Sequence, residues 1–207
     1  MLRSLIPLLT LLATGAALAP KPFSLADHSP PTDGKTDATA AFSALFAEVA
    51  KAGGGSVVIP PGDYFLAGQK PIPLTSRTRV QAEGARFHLP EMLGDRARVV
   101  LFQGENLREF TWAGGTFLGR CFDPLAEKNT WEPNANTRGI VVTSTADGIT
   151  ADLAFRNIAS ESMAGAVVHV SGFAQPGSES EVRTFASRVS VENCTLLNSG
   201  KFMWDYG

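Results

Sequence analysis

Residues 33–66 constrain the fold more than any other part of this chain. They read Asp-Gly-Lys-Thr-Asp, an amphipathic stretch, three glycines, and then Val-Val-Ile-Pro-Pro-Gly-Asp-Tyr-Phe-Leu. Each part is a start or stop signal. The Asp-Gly-Lys-Thr-Asp unit reads as a turn, and Thr36 or Asp37 can accept hydrogen bonds from the free backbone N–H groups that open a helix. Phe42, Leu45, Phe46 and Val49 fall at i, i+3, i+4 and i+7, so this helix has one apolar face that must be covered. Gly53, Gly54 and Gly55 end it, because glycine enters the left-handed region without a steric penalty. Residues 57–59 then read as a β-branched strand, Pro60-Pro61-Gly62 as a sharp turn, and residues 64–66 as a second strand.

Further along, short strands recur in register with one another. Phe110, Trp112, Gly114 and Phe117 align on Leu153, Phe155, Asn157 and Ser160, and these on Val189, Val191, Asn193 and Leu196. Period-two alternation gives each strand one inward face. Gly114, Asn157 and Asn193 share the place where the chain must bend, and Gly and Asn tolerate the left-handed backbone a bend requires. A second set of apolar strands, at residues 99–102, 140–142 and 167–170, recurs between members of the first. Such a pattern describes a solenoid in which each coil buries its inward side chains on the next. A β-sandwich, the main alternative, gives no reason for a capping helix or for aligned bends.

The order Asp-Gly-Lys-Thr-Asp, helix, Gly-Gly-Gly, Val-Val-Ile-Pro-Pro-Gly-Asp-Tyr resembles the N-terminal portion of the pectate lyase superfamily, in its rhamnogalacturonase and epimerase-like branch. The resemblance implies an all-β fold, a right-handed single-stranded parallel β-helix (a solenoid) with an N-terminal capping α-helix. It also implies action on an acidic polysaccharide by hydrolysis or β-elimination. Members of such families continue through further coils, so the resemblance implies that residues 20–207 form a parallel β-helix domain truncated at its C-terminus. A scaffold does not by itself fix a reaction. A non-catalytic polysaccharide-binding or cell-surface β-helix is the second reading.

Residues 1–19 carry one positive charge, Arg3, before an apolar run and a small-residue Ala17-Leu18-Ala19 end. That is the pattern of a cleaved signal peptide, and its apolar run is too short for a membrane span, so the expectation is a secreted or periplasmic protein with no transmembrane segment in the mature chain. Removing residues 1–19 shifts the formal net charge from −2 to −3. Mild acidity offers no basic face for nucleic acid. The two cysteines, Cys121 and Cys194, do not establish a bridge. Cys194 sits in an apolar alternation and reads as a small buried side chain.

No motif in the chain carries a reaction on its own: zinc spacing, a phosphate-cradling loop and a nucleophile elbow are all missing. No cofactor is expected, and calcium enters only if the protein is a lyase. Asp205 and Glu161 are the catalytic candidates, each just after a repeat unit and so able to project from one side of neighbouring coils. Trp131 and Arg138, at residues 119–138, and Trp204, next to Asp205, are the substrate-binding candidates, because an indole offers an apolar face to a sugar ring and an arginine pairs with a carboxylate. Residues 119–138 and 173–184 read as inserts on the scaffold, the second as a solvated excursion. His169, flanked by Val168 and Val170, reads as facing away from them, either as a base or as a structural residue.

Overall fold

The computed structural model describes residues 21–68, 70–90, 99–119, 137–163, 165–174 and 183–199. The chain travels in repeated circuits. The first holds β1 (Phe23–Ser24), a short 3-10 turn (Leu25–His28), β2 (Asp33–Asp37) and α1 (Thr39–Lys51). Three-strand circuits come after it: β3 (Gly55–Val58), β4 (Gly62–Phe65) and β5 (Ile72–Pro73); then β6 (Thr78–Gln81), β7 (Ala85–His88) and β8 (Val99–Glu105). Next come β9 (Arg108–Ala113), β10 (Thr116–Leu118) and β11 (Thr137–Thr143), then β12 (Ala151–Arg156), β13 (Ala159–Glu161) and β14 (Val168–Ser171). After a small antiparallel pair, β15 (Phe173–Ala174) with β16 (Arg183–Thr184), the chain resumes with β17 (Ser187–Glu192) and β18 (Thr195–Leu197).

The first strand of every circuit joins one sheet, ordered β1-β3-β6-β9-β12-β17. The second joins another, β2-β4-β7-β10-β13-β18, and the third joins β5-β8-β11-β14. All pairings within these three sheets are parallel. The protein is thus mostly β, with three parallel sheets and one α-helix, an arrangement consistent with a parallel β-helix.

The aligned repeats meet in space. Phe110 pairs with Leu153 and Leu153 with Val189; Trp112 pairs with Phe155 and Phe155 with Val191. In the third sheet Phe102, Ile140 and Val168 line up in the same way. The bend residues Gly114, Asn157 and Asn193 all have positive φ, at 82°, 55° and 53°. Only the first demands glycine, since a Cβ there would stand 2.7 Å from the backbone nitrogen of Glu83. A second left-handed ladder escaped the sequence reading. Arg77, Glu109, Asp152 and Arg188 hold equivalent places on successive circuits with φ between 52° and 60°. Long charged side chains there gave no sequence signal, because L residues other than Gly, Asn and Asp rarely adopt that conformation.

The helix closes one end of the stack. Phe42, Leu45, Phe46 and Val49 are essentially inaccessible, and burying each contributes on the order of 2 kcal/mol before ordering costs. The Phe42 ring meets Tyr64 edge-on at 5.3 Å between centroids, and Phe87 and Phe102 at 6.0 and 5.9 Å. Phe87 and Phe102 then contact Trp112 and Phe117, which carries the aromatic core into the next circuit. The Tyr64 hydroxyl donates to the Pro60 carbonyl at 2.8 Å, so the one polar atom of that ring is paired.

Three local expectations are corrected. Residues 33–37 form β2 rather than a free turn, though the strand is irregular: Asp33 pairs with Asp63 and Asp37 with Phe65, and the extra residues bulge between. Thr36 does not cap the helix. Its N–H and hydroxyl both donate to the Asp33 carboxylate, at 2.8 and 2.7 Å. Asp37 does accept from the Thr39 N–H at 3.0 Å, and also from the Ala67 N–H at 3.2 Å, which ties the helix start to the end of β4. The first strand lies slightly earlier than residues 57–59 because the Gly55 N–H already donates to Arg77 O. Beyond it, Gly54 must be glycine: its φ is 115° and a Cβ would stand 2.4 Å from Arg77 O.

Candidate functional site

The outer face of the second sheet gathers a polar cluster of Asp63, Arg86 and His88. In β7 the buried Phe87 alternates with Arg86 and His88, which therefore point outward. In β4 the buried Tyr64 alternates with Asp63 and Phe65. Asp63 pairs in register with Arg86, and Phe65 with His88. Across this step the Asp63 Oδ1 lies 2.6 Å from His88 Nε2 and 3.1 Å from Arg86 Nε. The hydrogen bond from His88, with that from the Arg86 guanidinium, holds the Asp63 carboxyl below the usual carboxylate range. With Nε2 engaged by the carboxylate, His88 Nδ1 has no partner among the described residues.

β2 leans over this cluster. Gly34 approaches so closely that a Cβ on it would stand 3.2 Å from His88 Nε2 and 3.3 Å from the Asp63 Cβ. That approach is possible because Asp33 folds the strand on itself. Its carboxylate accepts from the N–H groups of Lys35 and Thr36 and from the Thr36 hydroxyl. Those bonds, the Thr36 N–H first, bring the Asp33 pKa down to about 2.

Glu161 ends β13 on the same sheet. Its register partners are Leu118 and Leu197, and Leu118 pairs with His88, so Glu161 stands two strands from the histidine in one outward row. At strand spacing that is about 9–10 Å. Glu161 is exposed and its carboxylate meets no partner among the described residues. The long insert leaves this row directly: Leu118 ends β10, and the Gly119 N–H donates to Glu161 O at 2.8 Å before residues 120–136.

Arg138 is corrected in position. It is the second residue of β11, in register with Val100 on the third sheet, and so belongs to a strand rather than to the insert. Trp131, Trp204 and Asp205 lie outside the described residues, as does Cys121. His169 pairs with Val141 on the third sheet and is half-buried, while Val168 and Val170 pack on the core. Cys194 is a free thiol, half-buried against that core. Two further outward acids, Glu192 and Asp152, are taken up in ion pairs on the first sheet. Arg156 Nε lies 3.1 Å from Glu192, and Arg188 grips Asp152 through two donors, which keeps that carboxyl below its ordinary value.

The sequence reading missed Asp63, Arg86 and His88. Their signal was the alternation Arg-Phe-His in one strand and Asp-Tyr-Phe in another, but only the register brings the two strands together. Among the described residues no group of three or more His, Cys, Asp or Glu side chains is placed to hold a metal, and no helix is long and apolar enough to cross a membrane.

No family model matches this chain, and no curated protein sequence does. Several solved structures are similar to it, among them two bacterial proteins. One, from Parabacteroides merdae ATCC 43184, is provisionally assigned as a glycosyl hydrolase; it shares 14% identity, covering 86% of this chain and 95% of its own, with a TM-score of 0.42. The other is PfbA, a surface adhesin of Streptococcus pneumoniae, at 17% identity over 88% of this chain, with a TM-score of 0.51. This chain spans about half of that adhesin chain, 50%. The likeness is one of fold.

Proposed function

We propose that this chain is an exported, carbohydrate-active β-helix protein, or the N-terminal part of one, that engages an acidic polysaccharide along the outer face of the second sheet. Residues 1–19 serve as the signal peptide in this reading and residues 20–207 as the β-helix domain. Right-handed winding is expected because connections between parallel strands of one sheet are overwhelmingly of that hand. The resemblance of residues 33–66 to the pectate lyase superfamily supports the same substrate class.

The observation that carries the reading is the Asp63–His88 pair, in line with Leu118 and the exposed Glu161 on the same outward face. Of the two reactions, β-elimination fits these residues better. Inverting hydrolysis needs one carboxyl held protonated as general acid. Asp33 and Asp63 are both held below the ordinary range, the reverse of that need. A histidine oriented by a carboxylate is suited to take a proton near neutral pH. In this scheme His88 Nδ1 takes the proton from the carbon beside a uronate carboxylate, and the C–H electron pair forms the new C=C bond. The bond from the next carbon to the glycosidic oxygen breaks, that oxygen taking a proton from water. Asp63 orients the neutral ring through Nε2–H, and Arg86 supplies positive potential for the acidic sugar.

The test is turnover of polygalacturonate, rhamnogalacturonan and alginate by the purified chain, read by ultraviolet absorbance of unsaturated product and by reducing ends. Unsaturated product that is lost in His88→Ala, with polymer binding retained, is the expected result. Binding without product of either kind would select the non-catalytic surface-protein reading, and neither binding nor product would remove the polysaccharide from consideration.

A further inference from the structure

The turn inside β2 reaches the histidine of the candidate site. Asp33 is in register with Asp63 and Asp37 with Phe65, so β2 carries more residues than the stretch of β4 it faces. The excess is folded into a turn that Asp33 fastens. Its carboxylate accepts from the Lys35 and Thr36 N–H groups, both at 2.8 Å, and from the Thr36 hydroxyl at 2.7 Å. The far end of the turn is fixed too. The Ala38 N–H donates to Phe65 O at 2.9 Å, and the Ala67 N–H to the Asp37 carboxylate at 3.2 Å.

Gly34 stands within this turn with φ of 69°, a left-handed conformation that glycine adopts without a steric penalty. Its backbone lies against both members of the Asp63–His88 pair. A Cβ added to Gly34 would stand 3.2 Å from His88 Nε2, 3.4 Å from His88 Cδ2 and 3.3 Å from the Asp63 Cβ. The same edge of the ring carries the Nε2 that meets Asp63 Oδ1 at 2.6 Å. The His88 side chain is 30% exposed, so core packing does not set its orientation. One hydrogen bond fixes one atom of an imidazole. A wall along the neighbouring Cδ2 fixes a second, and two fixed atoms set the direction of the third corner, Nδ1.

We propose that Gly34 is a positioning residue for His88: the turn fastened by Asp33 lays the Gly34 backbone along the Cδ2–Nε2 edge, which holds Nε2–H on Asp63 and presents Nδ1 to the substrate. The inference rests on the reading of His88 as the proton acceptor. It gives the Asp-Gly-Lys-Thr turn a role at the site besides leading into the helix. It also excludes side chains at position 34. A Cβ there must displace either the Asp63 Cβ, which is fixed to the β4 backbone, or the imidazole, which rotates more freely and gives way first.

The test is the tautomer of His88 in the whole 207-residue chain. It is read from the two imidazole nitrogen resonances at a pH where the ring is neutral, assigned by their loss in His88→Gln. The parent should show one dominant tautomer, with the proton on Nε2. Gly34→Ala should lower the ratio of the Nε2–H to the Nδ1–H form by about threefold to tenfold, part of what full loss of a hydrogen bond to a charged group would bring. Asp33→Ala, which unfastens the turn without adding an atom beside the ring, should lower it in the same direction. Asp33→Asn keeps an acceptor for the two N–H groups and should restore most of the ratio. Gly84→Ala is the control: Gly84 has φ of 76° and its Cβ would stand 3.1 Å from Pro61, so the backbone is strained alike, yet His88 should keep its tautomer. A parent ring that populates both forms would overturn the proposal. So would an unchanged ratio in a folded Gly34→Ala or in Asp33→Ala, or an equal fall in Gly84→Ala. The resonances are read without turnover, so absence of unsaturated product would count against the elimination reading alone, and an unaltered His88 against this one alone.

Discussion

The two ends of the stack hold the same kind of side chain in opposite states. At the helical end Phe42, Leu45, Phe46 and Val49 are 0–1% exposed under and within a closed aromatic core. At the other end Val189, Val191 and Leu196 occupy the same inward ladder yet stand largely in solvent. Both ends are built from apolar side chains on a regular alternation. What differs, among the described residues, is whether another layer lies on top, because a circuit in such an array touches only its neighbours. Burial here belongs to a pair of layers, and no strand possesses it alone.

The contrast can be tested by truncation at matched positions, followed by urea denaturation. Phe42→Ala should cost about 3–5 kcal/mol, since it empties a site walled by three aromatic rings. Val189→Ala, on the open end, should cost less than about 1 kcal/mol. Equal losses would break the comparison. Backbone geometry gives the next step down. Gly54→Ala should cost about 2 kcal/mol or more, because the new Cβ would run into Arg77 O at the capped end. Asn193→Gly should be nearly neutral, since it relieves a left-handed residue on the open end.

A smaller loss is expected from Tyr64→Phe, about 1 kcal/mol, for the hydrogen bond to Pro60 O. The smallest effect is electrostatic. Asp33 has its pKa lowered to about 2, so its turn contributes stability that is present above the ordinary value of 3.8 and is lost as pH falls through about 2. Asp63, also lowered, should lose its contribution in the same direction as it protonates and releases Arg86 and His88. Carbon-13 titration of the carboxyl groups would follow both. A midpoint for Asp33 at or above 3.8 would mean that the β2 turn does not hold it as described.

Legibility tracked the range of the interaction. The helix face, its glycine stop, the aligned strands and the bends at Gly114, Asn157 and Asn193 were all readable, because periodicity and left-handed backbone are local demands. Which of Thr36 and Asp37 accepts at the helix start was not, since it is settled by Asp33, which engages the N–H and hydroxyl of Thr36 and leaves Asp37 to accept from Thr39. Arg138 looked like part of an insert because it stands between the turn-compatible residues Asn136 and Gly139, although β11 begins at Thr137. The Asp63–His88 cluster was invisible for a different reason. Its members are 25 residues apart, and neither strand carries a signal that names the other.

The sequence by itself determined the unit of construction: a short inward-alternating strand, a left-handed bend, another strand, and one amphipathic helix to cover an end. Those are choices each residue makes with its near neighbours. Tertiary structure decided the register between circuits, and with it which outward side chains share a face. A one-residue change of register would turn His88 inward and Phe87 outward, so the grouping of Asp63, Arg86, His88 and Glu161 exists only once the stack has formed.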